Sequence, residues 1–516
     1  MLSIINSNNL IGIESFLVKV ETDITKGIPS FNVVGLPSTE VRESRERVKS
    51  AIINSGYSFP NSRIVVNLSP ADIKKEGSFL DLPISIGILR KNLKKEDSYL
   101  NESVFIGELS LDGHLRKVKG ILSLVIGAKK ENFKRIFIPY DNFKESNFID
   151  GIEIIPIKSL HECIDYINGD KDICFKHEDL EFDEANCNYT EDFKDVKGNY
   201  FAKRAAEICA AGNHNLIMVG PPGSGKTMVA KRIRTILPKL SKEEMIEISK
   251  IYSIAGLIKE DCGIVNERPF RSPHHSTTIQ SLIGGGINSK PGEITLSHRG
   301  VLFLDEIAEF DRKILDCLRQ PMEDKYINIS RVRHNVKYPC NMIVIAAMNP
   351  CPCGLYLSKS ECCCRNYEII RYRNKLSGPL LDRFDIFVEM TQIPFEKLND
   401  KLNEETSDEI RRRVERARDI QRLRFVGETI NTNNEMTTTM IDKYCQLDRE
   451  SKKILDEIYN KHELSNRSYK KLIKVARTIA DLEGEKNINS SHVLESYSFR
   501  KAYYTYFKSR LELNHV

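Results

Sequence analysis

The eight residues Gly220 to Thr227, GPPGSGKT, constrain this chain more than any other stretch. They fit the pattern G-x-x-x-x-G-K-[ST]. An apolar run, NLIMVG, leads into them, and MVAKRIRTIL follows. Such a loop needs a buried strand before it and a helix after it, so a parallel α/β core is predicted here. The loop Gly220, Pro221, Pro222, Gly223, Ser224 and Gly225 would wrap the phosphates, its non-proline residues presenting backbone N–H groups, helped by the positive end of the following helix. Lys226 is placed to reach the β- and γ-phosphates of ATP, and Thr227 to ligate Mg²⁺.

Three downstream segments supply what a phosphate loop lacks. VLFLDEI ends an apolar strand on Asp305 and Glu306. Asp305 would hold Mg²⁺, and Glu306 would act as general base on the attacking water. NMIVIAAMN puts Asn349 at another strand end, where it can orient water or sense the γ-phosphate. GPLLDRFD places Arg383 before the strand-like DIFVEM. Arg383 is a candidate for the transition-state cation, with a salt bridge to Asp382 or Asp385 as the alternative.

The rest of the chain divides around this core. Residues 1–165 carry strand-like runs (FNVVGL, RIVVNL, SVFIGELSLDG, RIFIPYDN) and helix-like ones (TEVRESRERVKSAIINSG, LDLPISIGILRK, ILSLVIGAKKEN), which predicts an α/β or α+β domain. Residues 166–196 form an acidic linker. Ten acidic residues against three lysines between Asp170 and Asp195 predict a solvated spacer. The nucleotide core spans 197–394, and a helical domain spans 395–516. The latter opens on IRRRVERARDIQRLRF, whose seven arginines suggest a solvated or interface face before a DNA-facing one.

Charge and cysteine usage narrow the setting. Lys+Arg is 77 and Asp+Glu 72, a balance of +5 over 516 residues, which excludes a wholesale polycation. Any grip on nucleic acid must be local. The first residues lack a basic segment followed by an apolar core, and the purest apolar run, Met342 to Met348, cannot span a bilayer. A cytoplasmic protein without a membrane partner is expected. Five of the 13 cysteines fall between Cys351 and Cys364. Cys351, Cys353, Cys362 and Cys364 make a C-x-C…C-x-C set that could hold a structural Zn²⁺, with reduced, metal-free thiols as the alternative.

GPPGSGKT, VLFLDEI, AAMNP and LSGPLLDRFD, in this order, resemble the magnesium-chelatase-like AAA+ ATPases. FRSPHHSTT, PGEITLSHRG and VARTIADLEG are similar to the YifB/ComM branch of that group. The resemblance implies a fold of three parts: a Lon-protease-like α/β domain, an AAA+ P-loop core with a helix-2 insert, and a helical lid. It implies a homo-hexameric ring with ATP at subunit interfaces. Asn349 then matches sensor 1, Arg383 the arginine finger and Arg467 the sensor 2 position. The insert between Lys226 and Asp305 holds Gly284, Gly285, Gly286 and Lys290, for which a mobile tip is expected. A second hairpin, INISRVRHNVKYP, carries Arg331, Arg333 and His334. Both hairpins are candidate contacts to DNA phosphates. His274 and His275 read as structural or nucleotide-adjacent.

In the Lon-like domain Asp81 stands where the serine nucleophile would, and Leu122 where the lysine would, so no proteolysis is expected. The function implied is an ATP-driven helicase acting on single-stranded or branched DNA. It would promote branch migration in recombination and natural transformation, with recombination proteins as candidate partners. The alternatives are a motor subunit inserting magnesium into a porphyrin, and a protein-remodelling ATPase. Against the first stands the Lon-like N-terminal domain, which the chelatase motor subunit is expected to lack.

Overall fold

The computed structural model describes residues 1–173, 189–259, 263–286, 290–330, 335–356, 361–392 and 404–508. They fall into two compact units, Met1–Glu184 with Lys242–Val265, and Ala185–Ser241 with Asn266–Val516.

The first unit is built on a seven-stranded mixed sheet. Its strand order is Ser30–Val34, Arg63–Ser69, Glu14–Thr25, Leu2–Ile11, Ser103–Phe105, Arg135–Pro139, Glu153–Ile157. Leu2–Ile11 and Glu14–Thr25 pair antiparallel along the whole of the first strand. The helix Thr39–Asn54 starts on Ser38, whose hydroxyl accepts from Val41 N at 3.3 Å and so satisfies one of the open N–H groups of the first turn.

The polar stretch Asn6 to Asn9 lies inside that hairpin and is buried. Each side chain donates to a backbone carbonyl: Asn6 to Asn101, Ser7 to Phe105, Asn8 to Leu124 and Asn9 to Glu76. These bonds offset the desolvation that would otherwise expel four polar side chains from the interior.

The segment after the phosphate-loop helix departs from the expected domain limits. Lys242–Ala255 is a helix of the first unit, not of the nucleotide core. Its buried Met245, Ile248 and Ile251 belong to a face packed on the helix Ile121–Lys130. Ser253 O accepts from Gly120 N at 3.1 Å, and Lys242 pairs with Asp150 at 3.0 Å.

Asp81 is fully buried in the first turn of the helix Asp81–Ile88, and Arg47 donates to it at 2.8 Å. Burial pushes its carboxyl up to about 7, against the pull of Arg47. Leu122 is buried, Ser78 donates to Glu108, and the buried Lys75 donates to Pro70 O.

The second unit carries the predicted parallel α/β core. Its strand order is Phe270–Arg271, Val301–Leu304, Ile343–Met348, Leu216–Val219, Ile386–Glu389, all parallel. Every residue of the strands Leu216–Val219, Val301–Leu304 and Ile343–Met348 is buried, as sheets covered on both faces require. Helices follow in the C-terminal region: Ser407–Arg424, Thr438–Tyr444, Arg449–His462, Asn466–Glu483 and Ser490–Ser498. Ser407–Arg424 packs on Tyr200–Gly212, Lys226–Ile236 and Asn466–Glu483.

The arginines of Ser407–Arg424 partly face inward. Arg413 bonds Glu207 and Glu405, Arg418 reaches Ala210 O at 2.8 Å, and Arg424 pairs with Asp481. The end of the acidic linker is not a solvated spacer either. Phe193 is fully buried, and its N–H donates to Ser407 Oγ at 2.8 Å. Glu191 pairs with Arg234 and Asp195 with Arg232, both at 2.8 Å. Residues 174–188 lie outside the described ones.

Candidate nucleotide site

The phosphate loop joins the strand Leu216–Val219 to the helix Lys226–Ile236. Two of its glycines are required by geometry. A Cβ on Gly220 would lie 2.4 Å from Met390 O, and Gly225 has φ +89° at the helix N-cap. Lys226 Nζ uses three donors, to Gly220 O at 2.7 Å, Pro221 O at 2.9 Å and Asn349 Oδ1 at 3.2 Å. Burial lowers its pKa to about 8, with Asp305 and Glu306 opposing, so it stays mainly charged at pH 7. Ser224 Oγ is buried in the loop without a hydrogen-bond partner among the described residues.

Thr227 Oγ1 donates to Asp305 Oδ2 at 2.9 Å. A hydroxyl and a carboxylate at this distance are oxygen donors of the kind Mg²⁺ takes beside a triphosphate. Glu306 follows with φ +49°, a left-handed conformation that is costly for a residue with a Cβ. Its side chain is exposed and makes no hydrogen bond or ion pair among the described residues. The sequence thus names a group that the fold does assemble: Lys226, Thr227, Asp305 and Asn349 touch one another in pairs, with Glu306 next in the chain.

Arg383 and Arg467 are brought together elsewhere. Both pair with Glu323, Arg467 at 3.1 Å. Neither makes a hydrogen bond or ion pair with Lys226, Asp305 or Glu306 among the described residues. Arg383 therefore does not bridge to Asp382 or Asp385. Asp385 is instead buried with Lys471 Nζ at 2.8 Å, and Lys471 also donates to Phe384 O at 3.0 Å. Sequence reading missed this pair, because its partners lie 86 positions apart, with the helices Ser407–Arg424, Thr438–Tyr444 and Arg449–His462 between them.

Both candidate DNA hairpins exist as antiparallel pairs. Gly284–Gly285 faces Lys290–Pro291, with Lys290 exposed, and Tyr326–Ser330 faces Asn335–Pro339. The tip of the first, residues 287–289, and Arg331, Arg333 and His334 lie outside the described residues. His274 bonds Ser276 at 2.8 Å, and its ring lies 4.0 Å from that of His275.

The four selected cysteines converge. All their sulfurs lie within 4.8 Å of one another. Cys351 is 3.4 Å from Cys353 and 3.7 Å from Cys362, and Cys353 is 3.5 Å from Cys362. A zinc tetrahedron with 2.3 Å arms has edges of about 3.8 Å, so the set fits.

Comparison with known proteins fits this geometry. A family model described as magnesium chelatase, subunit ChlI, matches residues 192–398, and one for its C-terminal part matches 404–500. A model described as subunit ChlI of Mg-chelatase matches 20–142. The competence protein ComM of Haemophilus influenzae is 39% identical over 504 residues, covering 97% of each chain. The chain belongs to the YifB/ComM family of magnesium-chelatase-like AAA+ ATPases. Another similar protein is YifB of Escherichia coli, 39% identical over 506 residues and 97% of each chain. An uncharacterized protein of Mycobacterium tuberculosis is 35% identical over 491 residues, 95% of this chain and 97% of its own. Because the N-terminal match of this YifB/ComM chain also carries the chelatase description, the first unit does not by itself weigh against chelatase function. No helix among the described residues is long and apolar enough to cross a membrane.

Proposed function

We propose that this YifB/ComM protein is a Mg²⁺- and ATP-dependent ring motor that moves branched or single-stranded DNA during recombination. The reading is carried by one observation: Lys226, Thr227, Asp305 and Asn349 gathered at the phosphate loop in a chain 39% identical, over 97% of its length, to a competence protein. Lys226 would hold the β- and γ-phosphates, Thr227 and Asp305 the Mg²⁺, Asn349 the γ-phosphate side, and Glu306 the attacking water. Lys290 and the hairpin residues Arg331 and Arg333 would meet DNA phosphates without reading sequence.

DNA should therefore stimulate turnover. Steady-state ATP hydrolysis measured with and without a four-way junction is expected to rise several-fold, and to lose that rise with increasing salt. Equal rates with single-stranded, branched and no DNA would leave the chelatase or protein-remodelling reading in its place.

Arg383 and Arg467 sit together on Glu323, which supports their acting on a neighbouring subunit's nucleotide in a homo-hexamer. Arg383→Ala and Glu306→Gln proteins should each be nearly inactive, and mixing them should restore part of the activity. The restored sites would pair an intact Glu306 from one variant with an intact Arg383 from the other. Mixtures no more active than their components would mean that Arg383 does not act across the interface.

Cys351, Cys353, Cys362 and Cys364 would hold one structural Zn²⁺, a closed site with no open position for catalysis.

A further inference from the structure

The thiol cluster lies next in the chain to the residue that contacts Lys226. Asn349 is followed by Pro350 and then by Cys351, which is fully buried. From Cys351 the chain turns back at once, with Gly354 N donating to Cys351 O at 3.0 Å. This turn rests on the phosphate loop. A Cβ built on Gly354 would lie 2.6 Å from Cδ and 2.9 Å from Cγ of Pro222, and 3.8 Å from Cγ of Asn349. Gly354 also has φ +81°, so a glycine is needed twice over.

The thiol side of the turn is tied by N–H···S bonds. Tyr356 N donates to Cys351 Sγ at 3.3 Å, and Cys353 N to Cys364 Sγ at 3.4 Å. From below, Arg373 Nε donates to Pro350 O at 3.0 Å, while its guanidinium lies over the rings of Tyr356 and Tyr506. The turn is therefore held at three points: the sulfurs, the buried arginine and the phosphate loop.

We propose that the metal-filled thiol cluster is a brace for the nucleotide pocket, setting the positions of Pro222 and Asn349 and hence the affinity for ATP. This rests on the reading of the four thiols as a zinc site. Without the ion, the four sulfurs within 4.8 Å keep only weak N–H···S and thiol–thiol contacts, and the thiol support of the Cys351–Tyr356 turn is weakened. Pro222 and Asn349 would then share its motion, and a pocket displaced by a fraction of an ångström binds less well.

The test uses the full chain expressed in zinc-supplemented medium. Zinc per chain is measured by elemental analysis, and affinity by titration with a fluorescent ATP analogue in excess Mg²⁺. Stripping with a zinc-selective chelator is expected to weaken nucleotide binding roughly tenfold, and added Zn²⁺ to restore it. Gly354→Ala keeps all four thiols, so it should retain zinc yet show a similar loss of affinity. A chain purified without zinc overturns both the zinc reading and the brace. One zinc per chain, with affinity unchanged on stripping and in Gly354→Ala, overturns the brace alone and leaves the zinc site standing.

Discussion

Glu306→Gln is expected to bind ATP normally and to hydrolyse it about 10²–10⁴-fold more slowly. The substitution keeps side-chain volume and removes only the proton acceptor. The Glu306 side chain has no hydrogen bond or ion pair to lose among the described residues, so the fold should not notice the change. Lys226→Ala is expected to fail differently. Lys226 is buried and holds Gly220 O, Pro221 O and Asn349 Oδ1 together, so its loss removes both the phosphate charge and a link between phosphate loop and Asn349. Thermal shift separates the two. A ligand at 100 times its Kd adds about 2.7 kcal/mol of stability. Glu306→Gln should keep that ATP-induced shift and Lys226→Ala should lose it. Wild-type turnover in Glu306→Gln would falsify its assignment as the base.

Legibility in this chain follows distance along the sequence. Gly220 to Thr227 are contiguous, and the chemistry of a phosphate loop is carried by a local turn, so eight letters sufficed. Asp305, Glu306 and Asn349 were legible because each follows a run of apolar residues that a buried parallel strand explains, and Arg383 because it stands just before such a run. The cysteines were legible through crowding. The first hairpin was not. The run INSNN in Leu2–Ile11 reads as a surface stretch, yet it is buried because its side chains meet carbonyls about 65 to 120 positions away. The helix Lys242–Ala255 has the apolar spacing of any amphipathic helix, and spacing does not say which unit covers it. Phe193, in an acidic stretch, was outvoted by its neighbours' charge. The pairing of Arg383 with Glu323, and of Asp385 with Lys471, joins residues 60 and 86 positions apart, which no local pattern records.

Removing Lys471 should be the most damaging single change to the second unit. Asp385 is fully enclosed; burial alone would raise its carboxyl pKa, but Lys471 and His214 outweigh it and hold it well below the usual range. Burial lowers Lys471 to about 8 against the attraction of Asp385, so at pH 7 the pair is ionised on both sides. Asp385 also accepts from Asn215 N at 2.9 Å, beside the strand that leads to the phosphate loop. Lys471→Met leaves a buried carboxylate without its countercharge, a loss of about 3–5 kcal/mol. For a domain of this size that corresponds to a fall in Tm on the order of 10 °C, read by calorimetry. Adding Asp385→Asn should recover much of it, because a neutral amide oxygen still accepts from Asn215 N and needs no cation. The same pair holds the helix carrying Arg467 against the turn carrying Arg383, four and two positions away. The stability-rescued double variant should therefore hydrolyse ATP more slowly than wild type if those arginines work as a set. Wild-type turnover in the double variant would show that their placement does not depend on the buried pair, and a Tm unchanged in Lys471→Met would show that Asp385 is neutral in the fold.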